Sequence, residues 1–101
     1  MSYQKHIKKV PGEKNKEIML FALSTCAWCK KTKALLDDLG LEYNYVDVDL
    51  LFGADREEAH GAMRQHQQST SFPTIIINSG EEVIIGFEEE KLRNSLATIS
   101  K

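Results

Sequence analysis

Two cysteines, Cys26 and Cys29, lie where an apolar run, Ile18–Leu23, gives way to a helical pattern over Lys30–Leu39. Residues three apart on a helix have Cβ atoms about 5–6 Å apart, and a disulfide needs Cα atoms about 5.5–6 Å apart. The first turn of a helix can therefore hold both sulfurs where they join and part with little backbone movement. Its unpaired N–H groups and positive dipole end favour a thiolate, the attacking species in thiol–disulfide exchange. This placement predicts a redox centre at a strand-to-helix junction.

The cysteine pair has two other interpretations. A structural crosslink over so short a loop would remove little entropy from the unfolded chain and would stabilise little. A zinc or iron–sulfur site usually needs four ligands, and the chain has only two cysteines. His60 and His66 could complete a Cys2His2 set, but they belong to a separate helical segment without a further ligand signal. We expect redox chemistry without a bound metal. The alternative is an iron–sulfur or other metal-binding carrier, or an adaptor without exchange activity.

Length and charge limit the class of protein. A chain of 101 residues, 42% hydrophobic and 28% charged, is typical of one globular domain, residues 1–101. Residues 1–17 hold five lysines and two glutamates in a chain of net charge −2, so residues 1–16 are predicted to form a basic N-terminal arm. Nothing here suggests nucleic acid or a membrane as partner, and the N-terminus has no apolar signal region. We therefore expect a cytoplasmic protein and, as its state, a monomer. Thiols are kept reduced in the cytoplasm, where a CxxC pair is more often catalytic than structural.

The strand patterns are alternating or β-branched. Besides Ile18–Leu23 they fall at Glu42–Val48, Thr74–Ile77 and Val83–Ile85, with a weak pattern at Lys5–Val10 that fits an edge strand or an ordered arm. The first two strong strands are joined through a helix and should be parallel with a right-handed crossover. The last two are joined by a short turn and should form an antiparallel hairpin.

Three helices complete the pattern. The first should end at Gly40, with Ser24 and Thr25 as capping residues at its start. The second is predicted to begin with a capping box, with Asp55 as N-cap and Glu58 at N3. The apolar faces of the second and third helices fall at Ala59, Ala62, Met63 and His66, and at Leu92, Leu96 and Ile99. The predicted order is β-α-β-α-β-β-α, an α/β fold with a central four-stranded mixed sheet and three flanking helices.

That order, with CxxC at the end of the first strand, resembles the thioredoxin fold, and four segments resemble glutaredoxins. They are Leu23–Lys31 around the cysteines, Tyr45–Asp49 in the second strand, Ser71–Thr74 in place of a Thr-Val-Pro loop, and Ile85–Phe87 where the family has a glycine after the fourth strand. The resemblance runs from about Glu17 to the C-terminus. It implies a glutaredoxin-like dithiol–disulfide oxidoreductase.

Under this resemblance Cys26, nearest the helix end, is the nucleophile and Cys29 resolves the mixed disulfide. The residues expected to face the substrate are Trp28, Phe72, Pro73, Gly86 and Phe87, with a cis bond between Phe72 and Pro73. Lys30 and Lys31 either add positive charge near the thiolate or are ordinary surface lysines. No cofactor is expected beyond a redox-active Cys26–Cys29 disulfide, reduced by an external thiol or a reductase. The expected partners are disulfide-containing proteins or low-molecular-weight thiols.

The sequence also departs from the usual glutaredoxin pattern. Leu23 stands where many glutathione-using members have lysine, and Ala27-Trp28 replaces Pro-Tyr. Phe87 follows Gly86 where the family has a second glycine. These features resemble glutaredoxin-like proteins of archaea and anaerobes. They leave dithiol exchange intact and predict weak recognition of glutathione.

Overall fold

The computed structural model describes residues 3–14, 16–65 and 71–97, and within them the chain forms one five-stranded mixed sheet with three α-helices. The strands are β1 Lys8–Val10, β2 Ile18–Ala22, β3 Tyr43–Asp47, β4 Thr74–Ile77 and β5 Glu82–Ile85. The helices are α1 Ala27–Asp38, α2 Gly53–Arg64 and α3 Glu89–Ala97. Across the sheet the order is β1-β3-β2-β4-β5; β2 and β3 are parallel and the other pairs are antiparallel. The predicted thioredoxin-like fold is confirmed, and the basic arm contributes β1 as an edge strand.

Glycine is required at position 12, where the arm turns back towards β2. A Cβ there would lie 2.5 Å from the carbonyl carbon of Leu41, closer than any side chain tolerates. This approach lets the Glu13 N–H donate to the Gly40 carbonyl over 2.8 Å. The arm is therefore hydrogen-bonded to the turn after α1 as well as to β3.

The central strand β2 is apolar throughout because both of its faces are covered. On one face, Leu20 belongs to a buried cluster with Leu36 of α1 and Leu92 of α3. On the other face, Phe21 belongs to a second cluster with Met63 of α2. The continuous apolar run in the sequence is therefore a strand with a helix layer on each side, as expected for the centre of an α/β sheet.

The capping box predicted for α2 is wrong. The helix begins at Gly53, with Phe52 as N-cap and no side-chain capping bond. Gly53 has a φ of 53°, which lets the extended backbone of Phe52 turn directly into the helix. Asp55 consequently lies in the first turn, where its carboxylate meets His6 Nε2 at 3.3 Å.

Other predicted elements can be compared with the structure where it describes them. Gly40 follows α1 with a φ of 70°, as a helix-ending glycine should. Ala59 and Met63 are buried on α2 as predicted, and so are Leu92 and Leu96 on α3. His66, residues 67–70 of the predicted loop and Ile99 lie outside the described residues.

Candidate active site

The two cysteines lie at the start of α1, where β2 ends. Cys26 is the N-cap of the helix, and its Sγ accepts a hydrogen bond from the backbone N–H of Cys29 at 3.1 Å. Cys26 is half-buried, whereas Cys29 is completely buried. Both are free thiols. The pair therefore combines one sulfur that solvent can reach with a second that is shielded directly behind it.

The environment of Cys29 favours the protonated thiol over the thiolate. The pKa of the Cys29 thiol is raised to about 12, mainly by burial and also by the hydrogen bond with Cys26. The charge of Lys33 opposes this rise. Lys33 is half-buried, pairs with Asp47 at 3.3 Å and lies 4.1 Å from the ring centroid of Tyr45. We did not identify Lys33 as a site residue from the sequence, although its position four residues after Cys29 places it on the same helix face.

A groove of about 260 Å³ next to the cysteines brings together the five residues that were expected to face the substrate. It is lined by Trp28, Phe72, Pro73, Gly86 and Phe87. The Phe72–Pro73 bond is cis, as predicted. None of the five side chains carries a charge, so the groove offers apolar surface and backbone groups to a ligand.

Trp28 forms one wall of this groove. Its side chain is 56% exposed and stacks on Phe87, with ring centroids 5.8 Å apart and planes inclined by 25°. Lys31 Nζ lies 5.0 Å from the centroid of the Trp28 ring. Lys31 therefore makes a cation–π contact with Trp28. Lys30 is exposed on the same helix.

The loop before Cys26 is held by a residue of the turn that follows β3. Ser24 donates two hydrogen bonds to the Asp49 carboxylate, from its N–H over 2.8 Å and from Oγ over 2.6 Å. Burial raises the pKa of Asp49, but the bonds from Ser24, together with a backbone bond of Asp49 itself and the charge of Arg56, lower the net pKa of that carboxyl. The expected capping role of Ser24 and Thr25 is therefore wrong, because Cys26 itself is the N-cap of α1. Ser24 instead joins the loop to the turn after β3. Asp49 lies 25 residues from Ser24, so no local pattern in the sequence indicated the contact.

The structure gives no support to a Cys2His2 site. His60 lies on α2, which packs on the opposite face of the sheet from α1. Among the described residues no three or more His, Cys, Asp or Glu side chains are grouped to hold a metal ion. The same part of the chain contains no helix of the length and apolarity that crossing a membrane would take.

The fold and the paired cysteines define a dithiol protein of the thioredoxin superfamily. The glutaredoxin family model matches residues 18–83, more than half of the chain. The chain is 31% identical over 75 residues to an uncharacterized glutaredoxin-like 8.6 kDa protein in the rubredoxin operon of Clostridium pasteurianum, covering 74% of this chain and 91% of that protein. This protein therefore belongs to the glutaredoxin family, and redox activity at a CxxC pair is typical of that family.

Two solved archaeal structures are similar over most of the chain. A glutaredoxin from Methanosarcina mazei is 47% identical, with a TM-score of 0.81, over 89% of this chain and 86% of that one. The methanoredoxin of Methanosarcina acetivorans is 45% identical, with a TM-score of 0.80, over 84% of this chain and 88% of that one. The resemblance to archaeal glutaredoxin-like proteins read from the sequence agrees with these comparisons.

Proposed function

We propose that this protein is a thiol–disulfide oxidoreductase in which Cys26 attacks the substrate and Cys29 resolves the intermediate. The observation that carries the proposal is the asymmetry of the pair. Cys26 reaches solvent and accepts the Cys29 N–H bond, whereas Cys29 is fully buried. An amide N–H pointing at a sulfur stabilises the thiolate, and the buried thiol can react only with a sulfur already brought to Cys26.

The reaction proceeds in two exchanges. The Cys26 thiolate attacks one sulfur of the substrate disulfide, so a mixed disulfide forms and the other substrate sulfur leaves as a thiolate that takes up a proton. Cys29 then loses its proton and attacks Cys26 Sγ. The Cys26–Cys29 disulfide forms, and the second substrate sulfur leaves and is protonated. The substrate gains two electrons and two protons, which an external dithiol or a reductase returns to the protein.

The first exchange makes it easier for Cys29 to ionise in the second. Burial is the main cause of the raised pKa of Cys29, and the contact with Cys26 adds to it. Once Cys26 Sγ is bonded to substrate, it no longer carries the negative charge that repels a thiolate at Cys29. The pKa of Cys29 consequently falls at the step where Cys29 has to ionise.

The groove beside the cysteines is the proposed substrate site. Trp28 and Phe87 supply an aromatic wall for an apolar side chain next to the disulfide. Phe72 precedes the ladder of β4, which begins at Thr74, so its backbone can pair with an extended substrate segment. A substrate bound here is a protein or a low-molecular-weight disulfide without a need for charged contacts.

A single-turnover experiment tests the proposal. The reduced, desalted protein is mixed without oxygen with bis(2-hydroxyethyl) disulfide or with insulin, and free thiols are then alkylated and counted by intact mass. We expect one Cys26–Cys29 disulfide per disulfide reduced. The matched control is the double variant Cys26→Ala/Cys29→Ala.

Reduced protein that leaves both disulfides intact would refute the exchange activity. A brown protein with a visible absorption band after anaerobic purification would favour the iron–sulfur carrier instead.

A further inference from the structure

Large apolar side chains are exposed at one end of the sheet, where β2, β3 and β5 finish. Among the described residues, four large apolar side chains are exposed: Trp28 at 56%, Leu50 at 58%, Phe52 at 82% and Ile85 at 43%. Strands β2, β3 and β5 run in the same direction, and these residues follow or end those three strands. All four residues therefore lie at the same end of the sheet as Cys26. Leu50 and Phe52 stand on the β3 side of it, away from the groove formed by Trp28.

The segment with Leu50 is held next to the active-site loop. Asp49, its neighbour in the chain, receives both hydrogen bonds of Ser24, and Ser24 lies two residues before Cys26. Adjacent strands of a sheet are only about 4.8 Å apart, and β2 and β3 are adjacent. A protein that brings a disulfide to Cys26 therefore also covers the surface beyond the end of β3.

A second groove, of about 270 Å³, opens beside Leu50 and is lined by residues of the arm that include Lys5, Ile7 and Lys8. Its one carboxylate, that of Asp47, is already paired with Lys33. Lys5 and Lys8 are exposed, and neither forms an ion pair within residues 3–14, 16–65 and 71–97. The uncompensated charge in this groove is therefore positive.

We propose that Lys5, Lys8, Leu50 and Phe52 form a docking surface, here named the arm surface, for a protein that carries the target disulfide. The partner segment presents an apolar side chain flanked by carboxylates, which matches exposed Leu50 and Phe52 beside two unpaired lysines. A low-molecular-weight disulfide fits in the groove at Trp28 and does not need the arm surface. The proposal rests on the exchange activity proposed above and adds the class of substrate that this chain prefers.

The test compares two disulfides in the single-turnover assay described above. Insulin is the acidic protein probe, and bis(2-hydroxyethyl) disulfide is the small probe. The variants are Leu50→Ser/Phe52→Ser and Lys5→Gln/Lys8→Gln. The charge-matched control is Lys14→Gln/Lys91→Gln, because both lysines are exposed and neither lines the groove beside Leu50 or the groove at Trp28.

We expect each arm-surface variant to be oxidised by insulin about ten-fold more slowly than the wild type, since the loss of a few interface contacts changes affinity by about this factor. The rate with the small disulfide should change less than about two-fold, because that disulfide does not contact the arm surface. Raising the salt from about 20 to 300 mM should slow the wild type with insulin but not Lys5→Gln/Lys8→Gln, because screening removes the attraction of the lysines. The control should behave as the wild type.

Equal loss with both disulfides would show that these residues support the fold or the cysteines, and would overturn the docking surface. Unchanged insulin rates in both variants would also overturn it. A loss confined to Leu50→Ser/Phe52→Ser without salt dependence would overturn the acidic partner. If the wild type reduces neither disulfide, the exchange activity itself fails.

Discussion

Asp49 accepts two hydrogen bonds from one residue, the N–H and the Oγ–H of Ser24, and so joins the turn after β3 to the loop that leads into Cys26. That loop is short, since the Cys26 N–H donates to the Leu23 carbonyl within it over 3.3 Å. The position of Cys26 therefore depends on Asp49, in the turn that follows the neighbouring strand β3. We infer that Asp49 is a positioning residue for the attacking sulfur.

Ser24→Ala should weaken this connection. Removal of a hydrogen bond to a charged acceptor costs about 1.5–3 kcal/mol, and the partial exposure of the site places the expected loss of unfolding free energy near the lower end. The attack of Cys26 on bis(2-hydroxyethyl) disulfide should slow about three- to ten-fold, because the loop holds the sulfur less rigidly. Urea denaturation and single-turnover rates measure the two effects.

Ser24→Thr is the matched control for that change, because it keeps the hydroxyl and should keep most of the rate. A Ser24→Ala protein that is less stable but attacks at the wild-type rate would show that Asp49 only stabilises the fold.

Cys26→Ser should abolish disulfide reduction, whereas Cys29→Ser should stop after the first exchange and accumulate a mixed disulfide. The reason is the exposure of Cys26 and the complete burial of Cys29. Intact-mass analysis after challenge with a disulfide distinguishes the two products. If Cys26→Ser formed the adduct and Cys29→Ser did not, the roles of the two sulfurs would be reversed.

The second exchange should become faster as the pH rises. Burial keeps the pKa of Cys29 far above neutrality, so below that pKa its thiolate fraction grows about ten-fold per pH unit. Lys33 lowers the pKa of Cys29, although it is the smallest of the causes that act on it. Lys33→Gln should therefore raise that pKa, reduce the thiolate fraction and prolong the lifetime of the mixed disulfide by about two- to three-fold at neutral pH.

Rapid acid quenching followed by intact mass gives the lifetime of the mixed disulfide between about pH 6 and 8. This range lies well below the raised pKa of Cys29. Lys33→Arg retains the positive charge and should resolve at nearly the wild-type rate. A lifetime that does not depend on pH would contradict the assignment of Cys29 as the ionising group.

Glutathione should be a poor electron donor compared with a dithiol or a reductase. In the glutaredoxins, a lysine before the motif and acidic residues after Gly-Gly hold the charged ends of glutathione. Here Leu23 stands in place of the lysine and offers no charge, whereas the acidic residues Glu88 and Glu89 still follow Gly86-Phe87. We therefore expect weakened recognition of glutathione and not strict exclusion. A lost charge-assisted contact of about 1.5–3 kcal/mol corresponds to about ten- to a hundred-fold weaker binding.

Leu23→Lys provides the converse experiment. It should raise turnover with glutathione and glutathione reductase while leaving the rate with dithiothreitol unchanged, and steady-state kinetics with both donors measure the ratio. Glutathione-dependent turnover of the unaltered protein as fast as that of a Pro-Tyr glutaredoxin would contradict the prediction.

The sequence alone determined the strand and helix order and the meeting of β2 with α1 at the cysteines. These are local properties: an apolar run of strand length, a helical period after it and a CxxC pair between them. Phe72 and Gly86, which line the groove at Trp28, were predicted as site residues only through the resemblance to glutaredoxins. They lie far from Cys26 in the chain, so no local pattern links them to it.

Only the tertiary structure decided the rest. The start of α2 at Gly53 depends on a backbone turn that competes with the capping signal at Asp55. The bonds between Ser24 and Asp49 and the shared edge of Leu50 with Cys26 arise because β3 lies parallel to β2. The raised pKa of Cys29 likewise requires burial by α1 packing on the sheet. Contacts of this kind join residues far apart in the chain, and their free energy depends on distances that no local sequence pattern specifies.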